Sequence, residues 1–205
     1  MLEKAIAKSL SVCFHPIVYP LYGFLLLFFI DNQFVVQLGN QAKIYILGIV
    51  FINTLFFPLA LTWVFKRRGI ISSYRFENRK ERFYPLLSGL LFYVTTWYLI
   101  NRLPLLPVYS YFLFLASVIT LVAIAINFFY KISLHSMGAA AFSMSILGIS
   151  ALFNLQLTLL IGVSFLLTGL IASSRLILKL HNSKQVYLGL VVGFLSSLLS
   201  FLIYV

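Results

Sequence analysis

Apolar residues run along this chain in long blocks separated by short polar stretches. A helix that crosses a bilayer needs about 20 predominantly apolar residues at about 1.5 Å rise each. Blocks of that size lie near residues 11–30, 44–65, 83–100, 108–130, 134–151, 154–173 and 186–205. Only "ALFN", residues 151–154, divides the fifth block from the sixth, so the pattern predicts six to seven spans. Pro16, Pro20 and Pro58 fall inside blocks and are expected to kink or interrupt them, because proline lacks the N–H that the helical ladder needs. "RLPLLP", residues 102–107, reads as a tight turn. The expected fold is all-α: a polytopic transmembrane helical bundle forming a single integral membrane domain over 1–205. The N-terminus has the basic start of a signal peptide. Its apolar stretch is long and no small-residue cleavage site follows, so it reads as an uncleaved first span. No internal repeat or low-complexity linker stands out.

Composition sharpens this picture. The chain is 62% hydrophobic and only 9% charged, whereas ordinary globular domains are about half apolar and about a quarter charged. A lone cysteine, Cys13, excludes an internal disulfide framework and a cysteine-based zinc site. The formal charge of +11 does not point to nucleic acid, because the basic residues sit in loops between apolar blocks, where they set topology and meet anionic headgroups. With seven spans, thirteen of the 15 Lys and Arg residues fall on the side of the N-terminus. Lys43 and Arg102 alone fall on the other. The positive-inside rule makes the first side cytoplasmic and puts the C-terminus opposite. The localisation expected is a bacterial inner membrane.

Three polar islands share that side. The first is "YRFENRKERFYP", residues 74–85. If it is helical, Arg75, Arg79 and Arg82 fall at i, i+4 and i+7 on one face, with Glu77 and Glu81 roughly opposite. Arginine forks suit phosphate oxygens, and the same face also suits lipid headgroups at an interface. The second island is "KISLHSMG", residues 131–138, where His135 stands beside Ser133 at a span boundary and a run of small residues follows. Alone, such a histidine is usually a cap or a hydrogen-bonding residue. The third is "SRLILKLHNSKQ", residues 174–185. If 181–185 is helical, His181 and Gln185 share a face, and the amide holds one imidazole nitrogen while the other presents its lone pair. Read blandly, this is a polar connection whose Lys179 and Lys184 reach to the interface.

The spacing Ser174, Arg175, five residues, His181, three residues, Gln185 resembles the third signature of the type 2 phosphatidic acid phosphatase superfamily, S-R-x5-H-x3-D. Arg75, six residues and Arg82 resemble its first signature, K-x6-R-P, with arginine for lysine and the proline displaced to Pro85. "ISLH", residues 132–135, resembles the second, P-S-G-H, and keeps Ser133 and His135. The resemblance spans roughly 75–185 and implies a phosphatidic acid phosphatase-like helical core. It also implies hydrolysis of a phosphomonoester or diphosphate without cofactor or metal, the partner being a membrane lipid phosphate. His181 would attack phosphorus and form a phosphohistidine, and His135 would protonate the leaving oxygen. Arg75, Arg82 and Arg175 would hold the phosphoryl oxygens and Ser133 would add a hydrogen bond; Arg79 and Ser174 are secondary candidates.

The family has aspartate where this chain has Gln185, so the histidine loses a negative charge beside it. Glu77 and Glu81 are the acids that remain to substitute. Bacterial members commonly present the site to the periplasm, opposite to the charge count here. Two functions are therefore expected in order: a lipid phosphate phosphatase, then a catalytically silent relative that binds lipid phosphate or serves as a membrane subunit, with protein partners or further copies of itself. A transporter ranks last, because the spans carry only scattered Asn53, Asn127, Asn154 and Gln156 and no buried acid.

Overall fold

The computed structural model describes residues 2–30, 38–74 and 78–205. Arg75 and Glu77 lie outside them. The regular elements among the described residues are all helices: α1 (Leu2–Cys13), α2 (Tyr19–Phe29), α3 (Asn40–Phe51), α4 (Phe57–Arg67), α5 (Phe83–Asn101), α6 (Pro107–Asn127), α7 (Leu134–Leu152), α8 (Thr158–Ile177) and α9 (Ser183–Tyr204). Short 3₁₀ turns occupy Pro16–Val18 and Lys80–Arg82, and a π-helical segment, Ile52–Phe56, joins α3 to α4. Seven helical stretches among the described residues are long and apolar enough to cross a membrane. The fifth and sixth separate cleanly. α7 ends at Leu152, Asn154 takes a left-handed φ of 51°, and Leu155 N–H closes on the Ser150 carbonyl, a Schellman cap that stops the helix.

The first helix starts earlier than the apolar pattern suggested, at Leu2 rather than near residue 11. Ala7 and Ser11, four apart, are buried on one face, so the polar Lys4 and Lys8 do not prevent a helix. It breaks at His15, which is extended (φ −65°, ψ 138°) because the ring of Pro16 disfavours helical geometry in the residue before it. Pro58 acts differently. Its ring would crowd the carbonyl of Thr54, four residues back, and the widened π turn over Ile52–Phe56 accommodates it without ending the span.

The chain forms two compact units, Met1–Tyr19 with Lys131–Val205, and Pro20–Tyr130. In the first, α7 is the central helix, packed against both α8 and α9, while α1 packs on α8. α9 approaches α7 through "GLVVG", Gly189 to Gly193, a small-xxx-small face. A Cβ on Gly189 would stand 2.7 Å from the Ser133 carbonyl oxygen, and one on Gly193 would overlap the Met137 carbonyl oxygen. Hydroxyl pairs tie α7 to both neighbours, Ser145 to Ser197 of α9 at 3.1 Å and Ser143 to Thr168 of α8 at 2.8 Å. Such interhelical bonds contribute about 0.6 kcal/mol each in a membrane, so close packing dominates.

In the second unit α5 and α6 are the main pair, and the ring of Phe57 stacks on Phe92 at 5.5 Å. At one end, Glu81 Oε2 accepts from the Ser72 N–H (2.7 Å) and hydroxyl (2.9 Å), while Lys66 donates to the Ser72 carbonyl. The expected arginine helix is absent from the described part of this loop: 78–79 is a bend and turn, and Lys80–Arg82 is one 3₁₀ turn leading into α5.

Candidate functional site

Four helix ends in the first unit carry the polar residues: the last turns of α1 and α8, and the first turns of α7 and α9. The break at Pro16 is what opens α1. A continuous helix would close Ser11 C=O with the N–H of residue 15, but His15 N–H turns to Val12 C=O instead, at 3.3 Å. Ser11 C=O thus becomes one of the orphan carbonyls of a helix C-terminus. His135 Nε2 satisfies it at 3.0 Å. A carbonyl only accepts, so Nε2 carries the proton, and in the neutral ring the lone pair is on Nδ1.

The Ser11 side chain is equally engaged. Arg175 Nη1 donates to Ser11 Oγ at 2.9 Å, and Ser11 Oγ lies 3.2 Å from Ser174 Oγ. Ser174 commits its only proton to the Ile171 carbonyl at 2.6 Å, so the chain runs one way: Arg175 to Ser11 to Ser174 to Ile171. This relay orients a guanidinium that is only 8% exposed. Ser11 therefore holds two predicted residues at once, His135 through its carbonyl and Arg175 through its hydroxyl.

His181 sits in the loop ahead of α9, not on the helix. Asn182 is the N-cap: its side chain accepts from Gln185 N–H at 2.9 Å, and Gln185 Oε1 accepts from Asn182 N–H at 3.3 Å, a reciprocal capping box. The box requires the oxygen of the Gln185 amide to face back toward the loop. His181 Nδ1 lies 2.9 Å from that same oxygen and must donate to it, which leaves the lone pair of the neutral ring on Nε2. The His181–Gln185 bond expected from an i, i+4 helical face exists, but a capping box builds it.

Ser133 is fully buried as the N-cap of α7. Its Oγ is 2.9 Å from Ser136 Oγ and accepts from Ser136 N–H at 3.4 Å, and its N–H donates to the Gln185 carbonyl at 3.2 Å. It fixes the first turn of α7, two residues ahead of His135, and ties that turn to α9. Ser133 and Gln185 thus belong to caps as well as to the site.

His15 escaped the sequence reading. Its ring meets that of His135 edge to face, 5.0 Å between centroids and 87° between planes. Arg175, His15 and His181 all lie near enough to His135 to act on it electrostatically. All 3 histidines of the chain thus belong to one neighbourhood. The signal was legible in "FHPIVYP": a polar ring directly before a proline, inside an apolar span. Ser11 gave no such signal.

Of the predicted residues, the first unit brings together His135, Ser133, Ser174, Arg175, His181 and Gln185. Arg79 and Arg82 belong to the second unit, the first exposed and the second buried, and the Arg79 carbonyl accepts from Asn127 Nδ2 at 2.8 Å. Arg75 lies outside the described residues. Among the described residues no three His, Cys, Asp or Glu side chains are grouped to hold a metal ion.

Fold and site together define an all-helical protein, with seven membrane-length helical stretches among its described residues, that gathers histidines, an arginine and serines at the ends of four helices. No protein-family model, curated protein or solved structure matches the chain.

The cap that sets up this site also carries strain. α8 ends in a Schellman motif, with Lys179 N–H on the Leu176 carbonyl and Leu180 N–H on the Arg175 carbonyl. The left-handed residue there is Lys179, φ 52°, where glycine is usual. Lys179→Gly is expected to stabilise the protein by about 1 kcal/mol, raising its melting temperature in detergent by roughly 3 °C. Thermal unfolding by circular dichroism checks this.

Proposed function

We propose that this protein is an integral-membrane lipid phosphate phosphatase, similar in core to the type 2 phosphatidic acid phosphatases, with His181 as nucleophile. The observation that carries the reading is the Gln185 amide oxygen, oriented by the capping box, accepting a hydrogen bond from His181 Nδ1–H. His181 Nε2 forms a bond to phosphorus as the P–O bond to the lipid breaks. His135, its Nε2–H held on the Ser11 carbonyl, passes a proton from the phosphate monoanion through Nδ1 to the departing oxygen. Water then attacks the phosphohistidine as His135 Nδ1 takes its proton; the bond from phosphorus to His181 Nε2 breaks, and the proton leaves with orthophosphate. Arg175, held by Ser11 in the first unit, binds phosphoryl oxygens. Such chemistry is chiefly positioning and stabilisation of charge on the equatorial oxygens. The membrane is a bacterial inner membrane, with the N-terminus cytoplasmic and the C-terminus opposite, as the basic loops favour.

The second reading is a silent relative that binds lipid phosphate or serves a larger membrane assembly. Residue 185 favours it, since a neutral amide orients the histidine without stabilising its positive charge. Glu81, one of the acids available to substitute, is bonded to Ser72.

Gln185→Glu separates the two. Glutamate at the third position of a helix preserves the capping box and adds the missing charge. Phosphate release should be measured for wild type and Gln185→Glu in detergent, from phosphatidic acid, phosphatidylglycerophosphate and polyprenyl diphosphate. The expected result is slow release by wild type and a gain of roughly tenfold to a hundredfold in the variant. That gain is below the ~10⁴ of the serine-protease relay, where the amide also fixes the wrong tautomer. Release by neither protein contradicts the enzymatic reading.

A further inference from the structure

We infer that His15, from the break in the first helix, donates a hydrogen bond to the phosphoryl group held at this site. The inference rests on the proposed function and adds a residue outside the three signature stretches. His15 Nδ1 accepts from the Ile17 N–H at 3.3 Å, capping the 3₁₀ turn Pro16–Val18. A nitrogen that accepts cannot carry the proton, so the neutral ring holds it on Nε2, and a backbone bond fixes that tautomer. His15 is exposed, its ring is set against that of His135 at 5.0 Å, and Arg175 acts electrostatically on both rings. A neutral N–H donor, a guanidinium and a second imidazole then stand in one neighbourhood, a set suited to a terminal phosphate with several acceptor oxygens. The proline that frees the Ser11 carbonyl for His135 also forces His15 out of the helix. One break therefore supplies both contacts.

The two roles of His15, cap and donor, can be separated. Asparagine is among the best N-caps and can accept from Ile17 N–H, but it places no donor at the far edge of an imidazole. Inorganic phosphate and a short-chain phosphatidic acid should be titrated calorimetrically into detergent-solubilised wild type and His15→Asn, with thermal unfolding run in parallel. The inference predicts an unchanged melting temperature and affinity weakened about tenfold or more for both ligands, as for loss of a hydrogen bond to a charged group. Equal affinity of the two proteins overturns the inference and leaves the proposed function standing. Loss confined to the lipid overturns it too, since His15 would then contact the glycerol or acyl portion. Wild type that binds neither ligand overturns the proposed function and this inference with it.

Discussion

Gly193→Val is expected to destabilise the protein by about 3 kcal/mol or more and to abolish phosphate release. A Cβ at this position overlaps the carbonyl oxygen of Met137 and stands 3.0 Å from Ala140 Cβ. Backbone oxygen cannot rotate away as a side-chain tip can, so α9 has to move off α7. Overpacking of this kind costs about 1–3 kcal/mol, and more where the obstacle is rigid. For a chain of this size that lowers the melting temperature by roughly 10 °C. The loss of function follows from where α9 begins: its first turn carries Gln185, its cap carries Asn182, and the Gln185 carbonyl is tied to the Ser133 N–H at 3.2 Å. Sliding the helix breaks that tie and displaces the amide that orients His181. Gly169→Ala in α8 is the control. Nothing lies within 4 Å of a Cβ there, and alanine should hold or slightly raise the melting temperature through its better helix propensity.

His181→Ala is expected to lower phosphate release by about 10³-fold or more while leaving the melting temperature within a degree or two. The large catalytic effect follows from removing the side chain to which the proposed function assigns the bond to phosphorus. The small structural effect follows from the capping box: Asn182 and Gln185 satisfy each other without the imidazole. Equal loss of stability and activity would mean that His181 serves the fold. Release unchanged by the substitution would remove it from the mechanism.

How far the sequence could be read depended on the range of the physics involved. Apolar blocks of membrane length are a local property, and seven helical stretches of that length are present among the described residues, with the fifth and sixth divided at "ALFN", where Asn154 takes the left-handed conformation its side chain tolerates. The extent of the first helix was hidden because Lys4 and Lys8 interrupt the apolar run, although Ala7 and Ser11 keep one buried face. The Gly189 and Gly193 pair went unread, and its spacing does not name the helix that it meets. His181 and Gln185 were found for a reason that needed revision. The spacing was sound, yet an N-cap at Asn182 replaces the continuous helix that spacing suggested. Ser11 was invisible, because its importance comes from a carbonyl orphaned by a proline five residues later and from partners more than 120 positions away in sequence. The arginine face drawn through 75, 79 and 82 presumed an α-helix. In the described part, Lys80–Arg82 is a single 3₁₀ turn, with Arg79 exposed before it and Arg82 buried at its end.

The most direct test of the account is to trap the covalent intermediate. Wild type and Gln185→Glu should be incubated briefly with phosphatidic acid labelled in the phosphate, then quenched in alkali, where phosphohistidine survives and phosphoserine does not. The label should be mapped by peptide mass spectrometry. The account predicts a base-stable, acid-labile phosphoryl group on the peptide containing His181, accumulating faster in Gln185→Glu and absent from His181→Ala. Phosphate release with no label on His181, or label on another residue, would contradict it.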